Sequence, residues 1–275
     1  MASIEPIGVD ESDAIWPLSI EAGWNQNVAD WRFMLGAGRG FGLRGSDGKW
    51  EASSLILPLG EKLAWISMVL VTKARRQGGV GTGLLKRCIA EVQTSGAVAG
   101  LDATEQGRPI YLPLGFRDLY KISRWHFDGV KEMPFIDKVR PMTAADLPAV
   151  LAYDRKLSRM DRPALLRHLA ARQPAMAFVA DSGGFVLGRE GRTAYSIGPV
   201  IADDEATGLA LIAQAASSVP GPFIIDVPDA HADIRQWLER QGAVSPRGYM
   251  RMTLGSAPGL DDPSHVFALA GPELG

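Results

Sequence analysis

Residues 74–86 read ARRQGGVGTGLLK, with glycines at 78, 79, 81 and 83 set between Arg75-Arg76 and Leu84-Leu85. The run before it, LAWISMVLV over 63–71, is apolar throughout and reads as a buried strand. After it, Leu84, Leu85, Cys88, Ile89 and Val92 recur at helical spacing with Lys86, Arg87 and Glu91 between them, which predicts an amphipathic helix from about Thr82. The glycines therefore join a strand to a helix start. Such a start leaves backbone N–H groups without partners and carries the positive end of the macrodipole, so it suits an anion. Glycine lets the backbone approach a phosphate and take positive φ, and the two arginines add donors shaped for phosphate oxygens. As an isolated motif the same cluster could also be no more than a tight turn.

Three nucleotide-binding patterns separate on the residues that carry their chemistry. Gly78 and Gly83 have the spacing of a triphosphate loop, but Leu84 and Leu85 stand where that loop needs Lys and then Ser or Thr. Gly79-x-Gly81 begins a dinucleotide fingerprint, and Leu84 replaces its third glycine. The R-x-x-G-x-G spacing of Arg76, Gly79 and Gly81 resembles the coenzyme A pyrophosphate loop of the GNAT superfamily of acyl-CoA-dependent N-acetyltransferases. The resemblance extends to the strand 63–71 before the loop, the Leu84-Leu85 pair after it, and a Y-x-x-x-G-F element at Tyr111 to Phe116, in family order over residues 1 to about 127.

The resemblance implies an α/β fold with a mixed, mostly antiparallel sheet flanked by helices, in which the strands near 63–71 and 97–102 part to admit a pantetheine arm. It implies that Met68, Val69 and Val71 pair with that arm, that Arg76, Gln77, Gly78, Gly79, Val80, Gly81, Thr82 and Gly83 hold the pyrophosphate, and that Thr104 stands where an asparagine often contacts pantetheine. Tyr111 matches the tyrosine proposed to give a proton to the departing thiolate, and a backbone N–H at Met68 or Val69 would face the developing oxyanion. The segment after the first strand lines the acceptor pocket in this family, which makes Trp24, Asn25 and Gln26 candidates there. The strand 63–71 contains no acid to serve as base; Asp102, Glu105, Glu21 and Asp30 are available elsewhere. The implied cosubstrate is acetyl-CoA, with no metal, and the implied acceptor is a small-molecule amine or amino-acid-like group. The alternative is a coenzyme A sensor that moves no acyl group.

Around the loop, the residues 39–71 contain three apolar runs separated by turn signals at Asp47-Gly48 and Leu59-Gly60-Glu61, the pattern of an antiparallel meander. From Val139 the chain starts over. VRPMTAADLPAVLAYD resembles IEPIGVDESDAIWPLS from Ile4, and Asp226, Gly242 and Arg251 fall where Asp102, Gly115 and Arg124 fall in the first half. This predicts two GNAT-like domains, residues 1–130 and 136–275, joined by a linker over 128–137. In the second copy the loop position reads DDEATG, so that copy is expected to bind no coenzyme A.

Composition sets the outer bounds. The 275 residues are 46% hydrophobic and 22% charged, as in ordinary globular chains, and 29 basic against 31 acidic residues remove the electrostatic reason to expect nucleic acid or an anionic membrane as partner. No apolar stretch is long enough to span a bilayer, and the lone Cys88, set on the apolar stripe of its helix, reads as a core thiol; both point to the cytoplasm. The four histidines have no metal-ligand spacing. A monomer or a homodimer is expected.

Overall fold

The computed structural model describes residues 3–134, 139–255 and 262–275, so residues 135–137 of the expected linker lie outside the described residues. Thirteen strands form one sheet. In the first half they are β1 (Glu5–Ile7), β2 (Arg39–Arg44), β3 (Trp50–Pro58), β4 (Leu63–Val71), β5 (Val98–Thr104) and β6 (Phe116–Phe127). In the second they are β7 (Val139–Pro141), β8 (Phe178–Ala180), β9 (Gly184–Glu190), β10 (Tyr195–Ala202), β11 (Phe223–Pro228), β12 (Val244–Leu254) and β13 (Val266–Ala268). The predicted meander is β2-β3-β4, and its turns carry positive φ at Gly48 and Gly60.

Each half repeats one unit. A strand runs parallel to the next through a crossover helix: β4 pairs β5 around Val80–Thr94, and β10 pairs β11 around Glu205–Ser217. The two halves do not stay in separate sheets. Strand order β4-β5-β12-β6-β11-β10 shows that each half lends its late long strand to the other, β12 lying against β5 and β6 against β11. The internal echo seen in the sequence becomes a pair of staples at this exchange. Arg251 of β12 grips Asp102 of β5 with two hydrogen bonds at 2.9 and 2.8 Å, and Arg124 of β6 grips Asp226 of β11 with two at 2.7 Å. The residue 130 boundary thus divides the chain but not the sheet.

Helix Val80–Thr94 lays Leu84, Leu85, Cys88 and Val92 on one face of the first-half sheet, against Phe41, Ile56, Ile66 and Leu101. The opposite face buries Trp31, Met34, Trp65 and Met68 in a core that continues through Leu165, Phe185, Leu187 and Leu269 of the second half. Full burial of one such aliphatic side chain contributes about 1.5–3 kcal/mol. A core built from both halves therefore fixes their relative position strongly.

Candidate active site

The site lies where β4 and β5 separate. Their parallel pairing covers only Leu63–Trp65 against Val98–Gly100. Beyond it, β4 bulges: its register with β3 passes from Leu55↔Ser67 to Ser53↔Leu70, so Met68 and Val69 share one partner position. Met68 takes φ +51°, a left-handed conformation that costs a non-glycine residue on the order of 1–3 kcal/mol, and Ser53 Oγ donates to its carbonyl at 2.8 Å. The surrounding packing holds it there, with Met68 2% exposed. The bulge falls at the residues expected to carry the oxyanion donor.

The glycine loop opens the crossover helix Val80–Thr94 above this split. The helix begins at Val80, two residues before the expected Thr82, because Gly79 adopts φ +75° as its N-cap and offers no side chain to bond the first-turn N–H groups. Gln77 also takes positive φ, at +65°. A Cβ built on Gly79 or Gly83 would meet nothing within 4 Å, so the backbone at those two residues faces open space, whereas one on Gly81 would touch the Val71 side chain at 3.4 Å. Arg75 pairs with Glu51 at 3.0 Å, whereas Arg76 has no acidic partner among the described residues and donates from Nε to the Val71 carbonyl at 3.2 Å. That bond engages the Val71 carbonyl as Ser53 Oγ engages that of Met68, which leaves Val69 as the best placed of the three β4 residues to accept an added strand.

A cavity in front of the split is lined by Ser67, Met68, Val69, Asp102, Thr104 and Tyr111, and on its outer side by Trp24, Gln26, Arg124, Arg247, Tyr249, Pro272 and Glu273. Tyr111 ends the short helix Arg108–Tyr111 and tilts against Phe116, 6.0 Å between ring centres. Burial pushes its hydroxyl up to about 12, so it keeps its proton at neutral pH. Thr104 Oγ1 accepts from Gly107 N at 3.1 Å and retains its own O–H for a ligand.

Two sequence expectations change in place. Asn25 does not line the cavity: its amide makes five hydrogen bonds to Thr193, Ala194 and Ser196 and clamps the two halves together. Trp24 and Gln26, its neighbours, do line it, because extended backbone turns alternate side chains opposite ways. The acids named as possible bases are engaged or remote. Asp30 caps the helix Val28–Ala37 and pairs with Arg172 at 2.6 Å, Asp102 pairs with Arg251, Glu21 accepts from Lys73 N at 2.7 Å, and Glu105 is exposed.

The carboxylate that the sequence reading missed is Glu273. It arrives by way of β13, which enters the second half's own split: Val266 and Ala268 pair with β10, and Leu269 N donates to the Asp226 carbonyl of β11 at 2.9 Å. A Cβ on Gly198 of β10 would come within 1.8 Å of the Leu269 carbonyl, so only glycine admits the segment. The chain then crosses to the first half, where Trp65 Nε1 donates to the Pro272 carbonyl at 2.8 Å. Glu273, 4% exposed, is held by Arg189, whose Nε also lies 3.1 Å from Asp30 Oδ1. In the same half, Asp204 caps the helix Glu205–Ser217 by accepting from Thr207 N at 2.8 Å, which places an acid where the first half has its open glycines.

Among the described residues no three His, Cys, Asp or Glu side chains gather to hold a metal ion, and no helix is long and apolar enough to cross a membrane. Residues 150–268 match the family model described as an acetyltransferase (GNAT) domain. The whole chain is similar to holothin acyltransferase of Pseudoalteromonas sp., 26% identical over 98% of this chain and 94% of the relative. A Pyrococcus horikoshii crystal structure provisionally described as an acetyltransferase superposes with a TM-score of 0.82 at 20% identity, covering 99% of this chain and 95% of that one. A tandem GNAT protein from the clavulanic acid biosynthesis pathway superposes with a TM-score of 0.61 at 13% identity, over 94% of this chain and all of the other. The family match falls on the half without the glycine cradle, and the repeated strand-helix-strand unit is what lets both halves carry the same fold. Together these likenesses place an acetyltransferase (GNAT) domain match on residues 150–268 and make the whole chain similar to an acyltransferase.

Proposed function

We propose that the chain is an N-acetyltransferase that moves the acetyl group of acetyl-CoA to a primary amine of a small or amino-acid-like molecule, with the first half catalytic and the second half supporting it. One observation carries the reading: an uncapped glycine cradle, a strained β4 bulge and a protonated Tyr111 all border a single split in the sheet. The residues present fit the group. The open backbone at Gly79 and Gly83 and Arg76, which has no acidic partner among the described residues, match a pyrophosphate, and the gap beyond Trp65 and Gly100 matches a flexible arm laid beside β4. The relative named for holothin supports a small molecule as acceptor.

Bound acetyl-CoA supplies a thioester carbonyl open to attack and a thiolate as leaving group. The N–H groups of Gln77 to Gly83 and the Arg76 guanidinium hold the anionic end. The bulge interrupts the β3–β4 ladder at Met68 and Val69, and a backbone N–H there would offset the negative charge gained by the carbonyl oxygen during attack. The Tyr111 hydroxyl would give its proton to the sulfur as the C–S bond breaks and the N–C bond forms, and the proton lost by the attacking amine would restore the Tyr111 hydroxyl. The Asp204 cap and the inserted β13 leave the second half without a comparable anion site.

Calorimetry with acetyl-CoA tests the reading. Binding is expected, and Arg76→Glu is expected to weaken it by roughly tenfold or more through loss of a charge-assisted bond. No binding to the unaltered protein would remove the proposed function.

A further inference from the structure

Two polar atoms on the cavity wall are buried without a hydrogen-bond partner: Gln26 Oε1 and Ser67 Oγ, on residues 5% and 7% exposed. Buried polar groups are nearly always paired, since an unmade bond carries the full desolvation penalty of the group. Their neighbour on the same wall is the buried Glu273 carboxylate, of which Arg189 holds Oε1. Gln26 Oε1 and a carboxylate accept hydrogen bonds and do not donate them, and Ser67 Oγ can accept as well as donate. These three residues therefore present acceptors to whatever enters, beside the Arg124 and Arg247 guanidinium groups that border the same cavity.

We infer that Gln26, Ser67 and Glu273 dock the amino group of the acceptor and select a primary amine over a hydroxyl. This rests on the acetyl-CoA reading above and adds the acceptor determinants to it. A primary amine brings two N–H donors, or three as an ammonium, to a wall with three acceptors, whereas an alcohol brings one and leaves two unpaired. Selection of this kind is strong because the rejected molecule leaves the site's own buried polar groups unmet. The placement is built rather than incidental. Gln26 is fixed through its backbone carbonyl, which accepts from Trp16 Nε1 at 3.0 Å. Ser67 stands one residue before the bulge at Met68. Glu273 is tied through Arg189 to Asp30, so both halves hold its position. Trp24 and Tyr249 border the same cavity and give it apolar faces for the body of the acceptor.

The test uses the full chain with acetyl-CoA and a panel of arylalkylamines, alkylamines and amino sugars, each beside its hydroxyl isostere, with thiol release as the readout. The best amine is expected to exceed its alcohol by at least tenfold in kcat/KM. Gln26→Leu is expected to raise the amine KM by roughly tenfold while leaving acetyl-CoA affinity unchanged, and Gln26→Glu, which keeps an acceptor, to restore it. A purely structural role would impair both variants alike. Glu273→Gln, checked by thermal unfolding for intact fold, is expected to lower kcat/KM for the amine and to narrow its margin over the alcohol. Equal turnover of amine and alcohol, an unchanged amine KM in Gln26→Leu, or acetyl-CoA binding with no amine of the panel acetylated would each overturn the inference. Loss of acetyl-CoA binding in the unaltered protein would instead overturn the function on which it rests.

Discussion

Replacing Asp226 by Asn removes one member of a staple that fastens an exchanged strand. Arg124 and Asp226 are 6% and 5% exposed at their side chains and meet through two bonds of 2.7 Å. Burial alone would lower the Arg124 pKa, and the charge and hydrogen bonds of Asp226 outweigh that and hold the guanidinium above its usual range. Asn keeps the shape and cancels the charge, which leaves a cation in the interior with one acceptor instead of two. Removing one partner of a buried pair costs about 3–5 kcal/mol, a large share of the ~5–15 kcal/mol by which domains are stable. At the ~2 °C per kcal/mol suited to a chain of this size, the midpoint should fall by roughly 6–10 °C. Urea denaturation and a thermal scan of Asp226→Asn measure both quantities. The double variant Asp226→Leu with Arg124→Met should recover most of the loss, because no charge is then stranded. Asp102→Asn should cost at least as much, since Arg251 and Asp102 are 0% exposed at their side chains. A single-variant loss below about 1 kcal/mol, or a double variant no better than the single, would refute the staple reasoning.

Four further outcomes follow from the same geometry. A chain ending at residue 130 lacks both neighbours of β6, namely β11 and β12, and should fail to give a cooperative transition by circular dichroism; a sharp transition would show that the first half folds alone. Tyr111→Phe should keep acetyl-CoA affinity and lower kcat by about 100-fold, and an unchanged kcat would remove it as the proton donor. Calorimetry should give one acetyl-CoA per chain, because β13 and the Asp204 cap occupy the second half's equivalents; two sites would contradict that reading. Burial raises Tyr111 from 10 to about 12 and Cys88 from 9 to about 11. Both groups bind their protons more tightly when folded, so their contribution is complete below pH 9 and is lost as pH rises through 11 and 12. Urea midpoints at pH 8, 10 and 11 should decline in that order, and a Cys88→Ala, Tyr111→Phe pair should decline less.

The elements legible in the sequence are those whose signal is local. Alternating turns and apolar runs gave β2, β3 and β4, helical spacing gave Val80–Thr94, and the glycines with Arg76 marked the cradle between them. The repeat was legible through matched residues, and the alignment of Asp102 with Asp226 and of Arg124 with Arg251 identified the members of both staples. Their pairing across the halves was not legible, because strand exchange depends on which β-edge lies free in space rather than on any residue of β6 or β12. Asn25 was misplaced for a similar reason: proximity to Trp24 and Gln26 in the chain says nothing about which way its amide turns. Glu273 left the faintest trace. VFALA at 266–270 reads as a short apolar strand, but only the folded position of β13 carries the following residues 200 positions back to Trp65.

The two halves show how one architecture can serve opposite ends. Parting two parallel strands leaves unpaired backbone on both sides of the gap, and something must bond to it. In the second half the chain's own β13 does so, with Gly198 clearing its path and an aspartate closing the helix start above. In the first half no strand of the described residues pairs between β4 and β5 beyond Trp65 and Gly100 to fill the gap as β13 does, the helix start carries glycines, and the strand beside the gap is bent at Met68. The filled gap also acts on the open one: anchoring β13 to β10 and β11 fixes the direction in which residues 270–275 leave, and that direction carries Pro272 and Glu273 to the wall of the candidate cavity. A second copy that had merely lost its cradle would need none of this. The insertion, the Arg189 grip and the Asn25 clamp together make the second half a wall of the first half's site.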